Sequence, residues 1–365
     1  MYIYQNPKWP NFIWNEHLIN DLLSKVKLKQ GYLLGRMDSL GFEIKEKAFL
    51  NILTEDIIKS NEIEGQLLNV EQVRSSIAKR LGINADSDIN VNRNVEGIVD
   101  MMLDATQHYD KSITKNRLLG WQASMFPTGF SGLYKIKIGS YRDDSTGLMQ
   151  IVSGPIGKER VHYQAPSAVT LDKEMNILLS YANNKYETID LVIKAAIIHL
   201  WFVIIHPFED GNGRIARALS DMFLAKSENS SNRFYSMSAQ IKKERKAYYK
   251  VLEITQKSSL DITSWLKWFL ENLILAIEAS GGLLENVLQK AEFWKKYQGV
   301  PFNKRQIKML NKILDNFKGN LTTTKWAKMT HSSQDTATRD IVDLIKKNIL
   351  VKRGNARTTH YIVKI

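Results

Sequence analysis

Twelve consecutive residues, His206-Pro207-Phe208-Glu209-Asp210-Gly211-Asn212-Gly213-Arg214-Ile215-Ala216-Arg217, bring together the side chains that phosphate chemistry needs. Pro207 disfavours helical geometry in the residue before it, so an apolar helix is expected to end at His206. A short loop with two glycines follows, and a second helix is expected to start near Arg214, with Ile215, Ala218, Leu219, Met222 and Phe223 on its packing side. Glycines let backbone N–H groups converge on an anion, and a helix amino terminus adds positive potential. Arg214 and Arg217, three apart, leave neighbouring positions of the first turn. Asp210 is a hard oxygen ligand suited to Mg²⁺. The parts amount to a polyphosphate site with a metal ligand and an adjacent imidazole base. Neither a GxxxxGK[ST] loop nor a GxGxxG dinucleotide fingerprint is present.

The elements that must position this set read as mostly helical. Residues 1–90 form an N-terminal helical region: apolar residues recur at helical spacing through WNEHLINDLLSKVKLKQGYLLGRMDSL, through KEKAFLNILTEDIIKSNEIE, and again in NVEQVRSSIAKRLGI. Gly65 is placed to stop the second of these, and the polar stretch at 84–90 reads as a loop and a region boundary. Residues 91–280 form the core. Within it, 91–125 are helical, LMQIVSG and RVHYQAP at about 148–164 read as a β-hairpin around a turn with Pro155 and Gly157, and helices resume from Ser167. Residues 281–302 read as a helical linker with a break at Gly281–Gly282. Residues 303–365 give three helices and an alternating hairpin, the layout of a winged helix-turn-helix with its third helix in the recognition position.

Composition limits the chemistry. The chain has 365 residues and no cysteine, which excludes disulfides, thiolate catalysis and sulfur-ligated zinc, and fits a reducing compartment. The opening MYIYQNPKWPNFIW lacks the basic-then-apolar pattern of a signal peptide. The longest apolar run, 195–208, contains two histidines and is too short to span a membrane. A cytoplasmic protein with no membrane contact is expected. The net charge is +13, and residues 301–365 hold 14 Lys/Arg against 4 Asp/Glu, so the basic excess belongs to that segment. Such asymmetry points either to a polyanion contact there or to a plain solvated face.

The string at 206–217 matches the signature HPFx[DE]GNGRxxR at every defined position, and the chain thereby resembles the Fic family of protein adenylyltransferases. The resemblance implies a helical core with a β-hairpin flap, and an enzyme that transfers AMP from ATP to a Tyr, Thr or Ser hydroxyl of a protein. By that resemblance His206 deprotonates the target hydroxyl and Asp210 holds Mg²⁺ between the α- and β-phosphates. The backbone of Gly211 and Gly213, with the Asn212 side chain, cradles the α-phosphate, and Arg214 and Arg217 hold the β- and γ-phosphates. The hairpin falls where the family places its flap. A free strand edge there, with Gln150, Ile151 and Val152, would hold a target segment by strand addition. Tyr248, Tyr249 and Gln256 match the part of the family that surrounds adenine and ribose.

Ser60-Asn61-Glu62-Ile63-Glu64-Gly65 also matches the family's inhibitory motif [ST]xxxE[GN]. Glu64 would sit at the last turn of a helix, facing the negative end of its dipole, and therefore wants a cation. The resemblance names that cation as Arg217, and implies that Ser60, Glu64 and Gly65 form a brake in the space of the γ-phosphate. Asn6-Pro7-Lys8-Trp9-Pro10 resembles the opening of the subclass with an amino-terminal inhibitory helix. Two other readings stand beside AMP transfer: removal of AMP or transfer of another phosphate-containing group by the same site, and a nucleotide-sensing regulator that binds DNA through the winged helix. ATP and a hydroxyl-bearing protein are the expected partners; DNA or protein at the winged helix, and a homodimer, are the open ones. Asp335, Thr336, Thr338 and Arg339 of the third helix are placed either to read bases or merely to cap and solvate it.

Overall fold

The computed structural model describes residues 1–38, 42–83, 89–145, 147–155, 157–184, 188–314, 317, 319–355 and 358–364. The expected loop at 84–90 lies mostly outside them. Two compact units are present: residues 1–41 with 45–280, and residues 42–44 with 281–365. Helices dominate, as expected.

The first unit is organised on α7 (Leu191–Ile205), which apart from Lys194 and His199 is apolar on every face and is buried at every position but its first. Such a helix has no solvent face and has to lie at the centre of a fold. The connection 206–211 is short, and it packs α8 (Asn212–Glu228) back onto α7. The start of α8 is two residues earlier than expected, because Gly211 takes the left-handed conformation (φ 92°) and serves as its N-cap. A side chain is strained at that φ, and a Cβ there would also press on Met125 Cε at 2.8 Å and Phe126 Cε2 at 3.2 Å, so glycine is favoured.

Around this pair are α1 (Glu16–Asp38), α2 (Phe42–Ile63), α3 (Val70–Leu81), α4 (Arg93–Gln107), α5 (Lys115–Met125) and α6 (Leu171–Asn183), then α9 (Met237–Lys243), α10 (Arg245–Gln256) and α11 (Thr263–Lys296). α4 contacts α8 and α5. A Cβ on Gly97 of α4 would lie 1.8 Å from the Ser124 carbonyl oxygen, so this crossing requires glycine. α11 is seated on α7 by buried Trp265, whose indole donates to the Ala196 carbonyl at 2.8 Å. The expected break at Gly281–Gly282 is absent: the helix runs unbroken to Lys296. A helical glycine costs only about 1 kcal/mol relative to alanine, too little to end a helix by itself.

Two hairpins decorate the unit. A short one, β1 (Phe130–Ser131) with β2 (Tyr134–Lys135), is not visible in the sequence pattern. The expected one pairs β3 (Gln150–Ser153) with β4 (Arg160–Gln164), with a bulge between Ile151 and Val152. Tyr163 of β4 is buried, and its hydroxyl donates to the Ile204 carbonyl at 2.7 Å, which roots this hairpin at the end of α7.

In the second unit α12 (Lys304–Leu314), α13 (Thr323–Thr330) and α14 (Gln334–Lys346) precede the antiparallel pair β5 (Leu350–Arg353) and β6 (His360–Val363). They close on a core of Met309, Leu310, Trp326, Ala337, Ile341, Leu344 and Ile349. Arg305 grips Asp340 with two bonds of 2.8 and 3.0 Å, joining α12 to α14.

Candidate active site

His206 is the C-cap of α7 and has left-handed backbone angles (φ 51°, ψ 59°). That conformation is uncommon for a side chain with a Cβ, and the surroundings must hold it. They do so through Arg142, a residue that sequence reading passed over. Its buried guanidinium donates from Nε to the His206 carbonyl at 2.8 Å, from Nη2 to the Pro166 carbonyl at 2.6 Å, and from Nη1 to Asp144 at 3.0 Å. Its own backbone N–H donates to the Pro207 carbonyl at 2.9 Å. Asp144 in turn accepts from Ser167 Oγ and the Ala168 N–H, both at 2.7 Å. We expect Arg142→Ala to destabilise the first unit by about 3 kcal/mol, since it orphans buried carbonyls and a carboxylate together. Urea unfolding of the variant against the parent measures this.

The imidazole Nδ1 lies 3.3 Å from the Val203 carbonyl oxygen. A carbonyl only accepts, so that contact puts the proton on Nδ1 and leaves Nε2 with a free lone pair. Burial lowers the His206 pKa, the Val203 contact opposes it, and Arg142 lowers it further, to about 4. The ring is therefore neutral at pH 7 and able to take a proton.

Asp210 and Glu209 tie the loop to the short hairpin. Asp210 Oδ2 accepts from Ser131 Oγ, and Glu209 accepts from the Lys137 N–H at 2.9 Å. The other Asp210 oxygen accepts from the Gly211 N–H at 2.5 Å and lies 3.4 Å from Arg214 Nη2. Asn212 braces the loop from inside: its amide oxygen accepts from the Phe208 N–H at 3.0 Å, and its amide nitrogen donates to the Phe208 carbonyl at 2.7 Å. The structure thus gives the Asn212 side chain partners within the loop, where the family resemblance implied a phosphate.

The first bond of α8 runs from Ile215 N–H to the Gly211 carbonyl, so the N–H groups before it point out of the helix end without helical partners. Arg214 and Arg217 are both buried, at 1% and 2% exposure, which an arginine tolerates only with partners. Arg214 donates to Gln66 at 2.8 Å and lies 5.0 Å over the Phe126 ring. Arg217 spans Ser60, with Nε to Oγ at 2.8 Å and Nη2 to the carbonyl at 2.9 Å, and Nη2 also reaches Glu64 Oε1 at 2.8 Å. Arg214 Nε and Arg217 Nη1 are buried with no hydrogen-bond partner among the described residues.

Glu64 closes this space. A Cβ placed on Gly213 would fall 2.2 Å from Glu64 Oε1 and 3.2 Å from Arg217 Nη1, so the carboxylate lies directly against the backbone of the first turn. Gly65, with φ 81°, ends the segment. The preceding carbonyls are capped by cations: Lys242 donates to Glu62 O at 2.7 Å and Arg245 to Ile63 O at 2.8 Å. Further back on α2, Asp56 accepts from Ser236 Oγ at 2.5 Å and lies 3.9 Å from Arg233, which pairs with Asp221 of α8 at 2.6 Å.

The remaining expected residues divide. Tyr249 is part-exposed and lies 3.4 Å from Glu64 Oε2. Tyr248 is turned into the core, with its hydroxyl 2.9 Å from the His199 ring. Gln256 is buried, and its amide nitrogen has no partner among the described residues. Gln150, Ile151 and Val152 lie on β3, whose other edge pairs with no strand among the described residues. β4 is tied to α10 through Glu253, which His162 approaches at 3.1 Å and Arg160 at 3.3 Å.

Two stretches of the chain match family models. Residues 112–224 match the model of the Fic/DOC family, and residues 2–83 match that of a domain of unknown function, DUF4172. A probable protein adenylyltransferase of Aquifex aeolicus (strain VF5) is 24% identical over 185 residues. That alignment covers 50% of this chain and 52% of the relative, so the chain spans about half the length of the curated relative it matches. A Fic family protein from Desulfovibrio desulfuricans G20 superposes over 95% of this chain and 96% of its own, at a TM-score of 0.52 and 19% identity. A Fic domain containing signaling protein from Bacteroides thetaiotaomicron VPI-5482 covers 73% and 97%, at 0.50 and 20%. At those identities the likeness is one of fold.

Proposed function

From the premise that the chain is a Fic family protein, matched over residues 112–224, we propose that it transfers AMP from ATP to a protein hydroxyl and that Glu64 restrains the reaction. The observation that carries this reading is the seat on α8. A carboxylate of the chain itself occupies an anion position against Gly213, beside a buried arginine with a spare donor. A site that holds one anion so closely is built for anions.

In the proposed reaction, His206 Nε2 takes the proton of the target hydroxyl. The hydroxyl oxygen bonds to the α-phosphorus of ATP, and the bond from that phosphorus to the bridging oxygen breaks, releasing pyrophosphate. Arg214, Arg217 and the first-turn N–H groups offset charge on the departing phosphates, which is where such a transfer gains most. The flap edge at Gln150–Val152 would hold the target chain by backbone pairing. The expected Mg²⁺ also belongs to this reading. Among the described residues no three His, Cys, Asp or Glu cluster as metal ligands. Asp210, with the Ser131 hydroxyl on one oxygen, suits an ion that takes a single carboxylate and completes its shell with phosphate oxygens and water. Bound there, the ion would neutralise phosphate charge.

Label transfer tests the reaction. Incubation with a mixture of proteins should move label from α-labelled ATP, and none from γ-labelled ATP, onto protein. Transfer of the γ label would overturn the proposal. For the metal, Asp210→Asn should shift the Mg²⁺ concentration for half-maximal transfer upward by about tenfold or more, since one anionic ligand is lost. An unchanged Mg²⁺ titration would remove Asp210 from the metal site.

A further inference from the structure

Residues 303–365 take no part in the reaction above, yet carry the basic excess of the chain. Their carboxylates are already used. Asp340 is buried against Arg305 and Asn303, and Asp343 is bonded to Gln306 and Lys347. Among the described residues from 303 on, Asp335 is the one carboxylate left exposed. Against it stand exposed Lys304, Lys308 and Lys312 of α12, Lys325 and Lys328 of α13, Arg339 and Lys346 of α14, and Lys352 and Arg353 of β5. None of these has a carboxylate partner among the described residues. Ion pairing inside the unit therefore removes its negative charge and leaves the positive charge outside.

The backbone arrangement gives that charge a shape. α13 and α14 are joined by the three residues 331–333, with His331 in the left-handed conformation (φ 50°) and Ser333 capping α14 by accepting from the Thr336 N–H. A three-residue turn between two helices on one core is the helix-turn-helix spacing. The outer face of α14 shows Gln334, Asp335, Thr338, Arg339, Val342 and Lys346 to solvent, and nothing in the core needs them. Thirteen residues make a rod about 20 Å long, a size that the major groove of a duplex, about 12 Å wide, admits. Among the described residues from 303 on, the exposed large apolar ones are scattered singly, Ile307, Val342 and Ile362 at 40–43% exposure, which does not make the apolar centre of a protein interface.

We infer that the C-terminal unit binds duplex DNA, with the exposed face of α14 in the major groove and the cations of β5 on the flanking phosphates. Arg339, Gln334 and Thr338 would meet base edges, and Val342 is suited to a thymine methyl. Phosphate contacts set the affinity and its salt dependence, since each neutralised phosphate releases counterions.

Fluorescence anisotropy of the full chain with a mixed-sequence duplex, at a series of salt concentrations, is the test. The expected affinity falls steeply with salt, with a slope of about 0.9 per phosphate contact on logarithmic axes. Lys352→Gln with Arg353→Gln should lower that slope by about two contacts, and Arg339→Ala should weaken binding by roughly tenfold or more. Far-UV circular dichroism and melting confirm that each variant is folded; one that is not is replaced by Arg339→Lys, which keeps a phosphate contact but loses the bidentate base contact. No duplex binding at low salt, equal affinity for a single strand, or an unaltered slope in the Lys352/Arg353 variant would each overturn the inference.

Discussion

His206→Ala is expected to cut AMP transfer by about 10²–10⁴-fold, the usual cost of losing a general base, while leaving ATP binding and the fold nearly intact. The argument lies in how the ring is held. Its backbone is fixed by Arg142 and by the end of α7, and its Nδ1 is committed to the Val203 carbonyl. Nε2 keeps a free lone pair, while both oxygens of Asp210 are engaged by Ser131 and Gly211. The pH dependence follows with its sign. A base whose pKa is lowered to about 4 stays neutral down to that pH. For the free enzyme kcat/KM should be flat from pH 8 to about 5 and fall only as pH passes through about 4. In the nucleotide complex the entering phosphates are negative and favour imidazolium, so the acid limb of kcat should lie higher than that of kcat/KM. Residual transfer within a few-fold of the parent in the alanine variant would remove His206 from the mechanism.

Glu64→Gly is expected to raise transfer, self-modification included, by about 10–100-fold at subsaturating ATP. That range corresponds to releasing one charge-assisted hydrogen bond of about 1.5–3 kcal/mol. On the proposed reading the carboxylate holds two things that a γ-phosphate would need, the Nη2 donor of Arg217 and the space over Gly213. Arg217→Ala removes the partner of the brake and of the phosphate at once, so its activity stays low, and the double variant should match it. Glu64 makes a single bond to the guanidinium, and Ser60 makes the other two. The arginine should therefore keep its place when the carboxylate is gone. A Glu64→Gly protein no faster than the parent across a range of Mg²⁺ concentrations would leave residues 60–65 as structure only.

What was legible in the sequence is what lies close together in it. The loop 206–217 contains its own base, carboxylate, glycines and arginines, and its meaning needs no knowledge of what packs around it. The helices were legible too, because a period of 3.6 in apolar residues is a local property. The supports were hidden because they come from afar. Arg142, Ser131 and Gln66 act on His206, Asp210 and Arg214 across 64, 79 and 148 positions. An arginine in the stretch Tyr141-Arg142-Asp143-Asp144 reads as a solvated charge until the fold buries it. Tyr248 and Tyr249 show the converse. Adjacent in sequence and alike in type, they part in the structure, one bonded to His199 in the core and one beside Glu64, because successive helix positions face about 100° apart.

The Asp56–Arg233–Asp221 contacts have a kinetic consequence. They join the middle of α2 to α8 two turns before Glu64, where Asp56 and Arg233 are almost wholly buried. To withdraw α2 as a body would expose the buried side chains of Asp56, Arg233 and Asp221, whereas to fray its last turn breaks the bonds of residues 61–66 with Arg214, Arg217, Lys242, Arg245 and Tyr249 and leaves that buried cluster in place. Opening on the autoinhibited reading is then a local event rather than a subglobal one. Amide hydrogen exchange would show this as fast, denaturant-independent exchange at residues 62–66 beside protection near the global limit around Asp56. The brake would then act as a fixed tax on occupancy of the seat instead of a latch awaiting a signal.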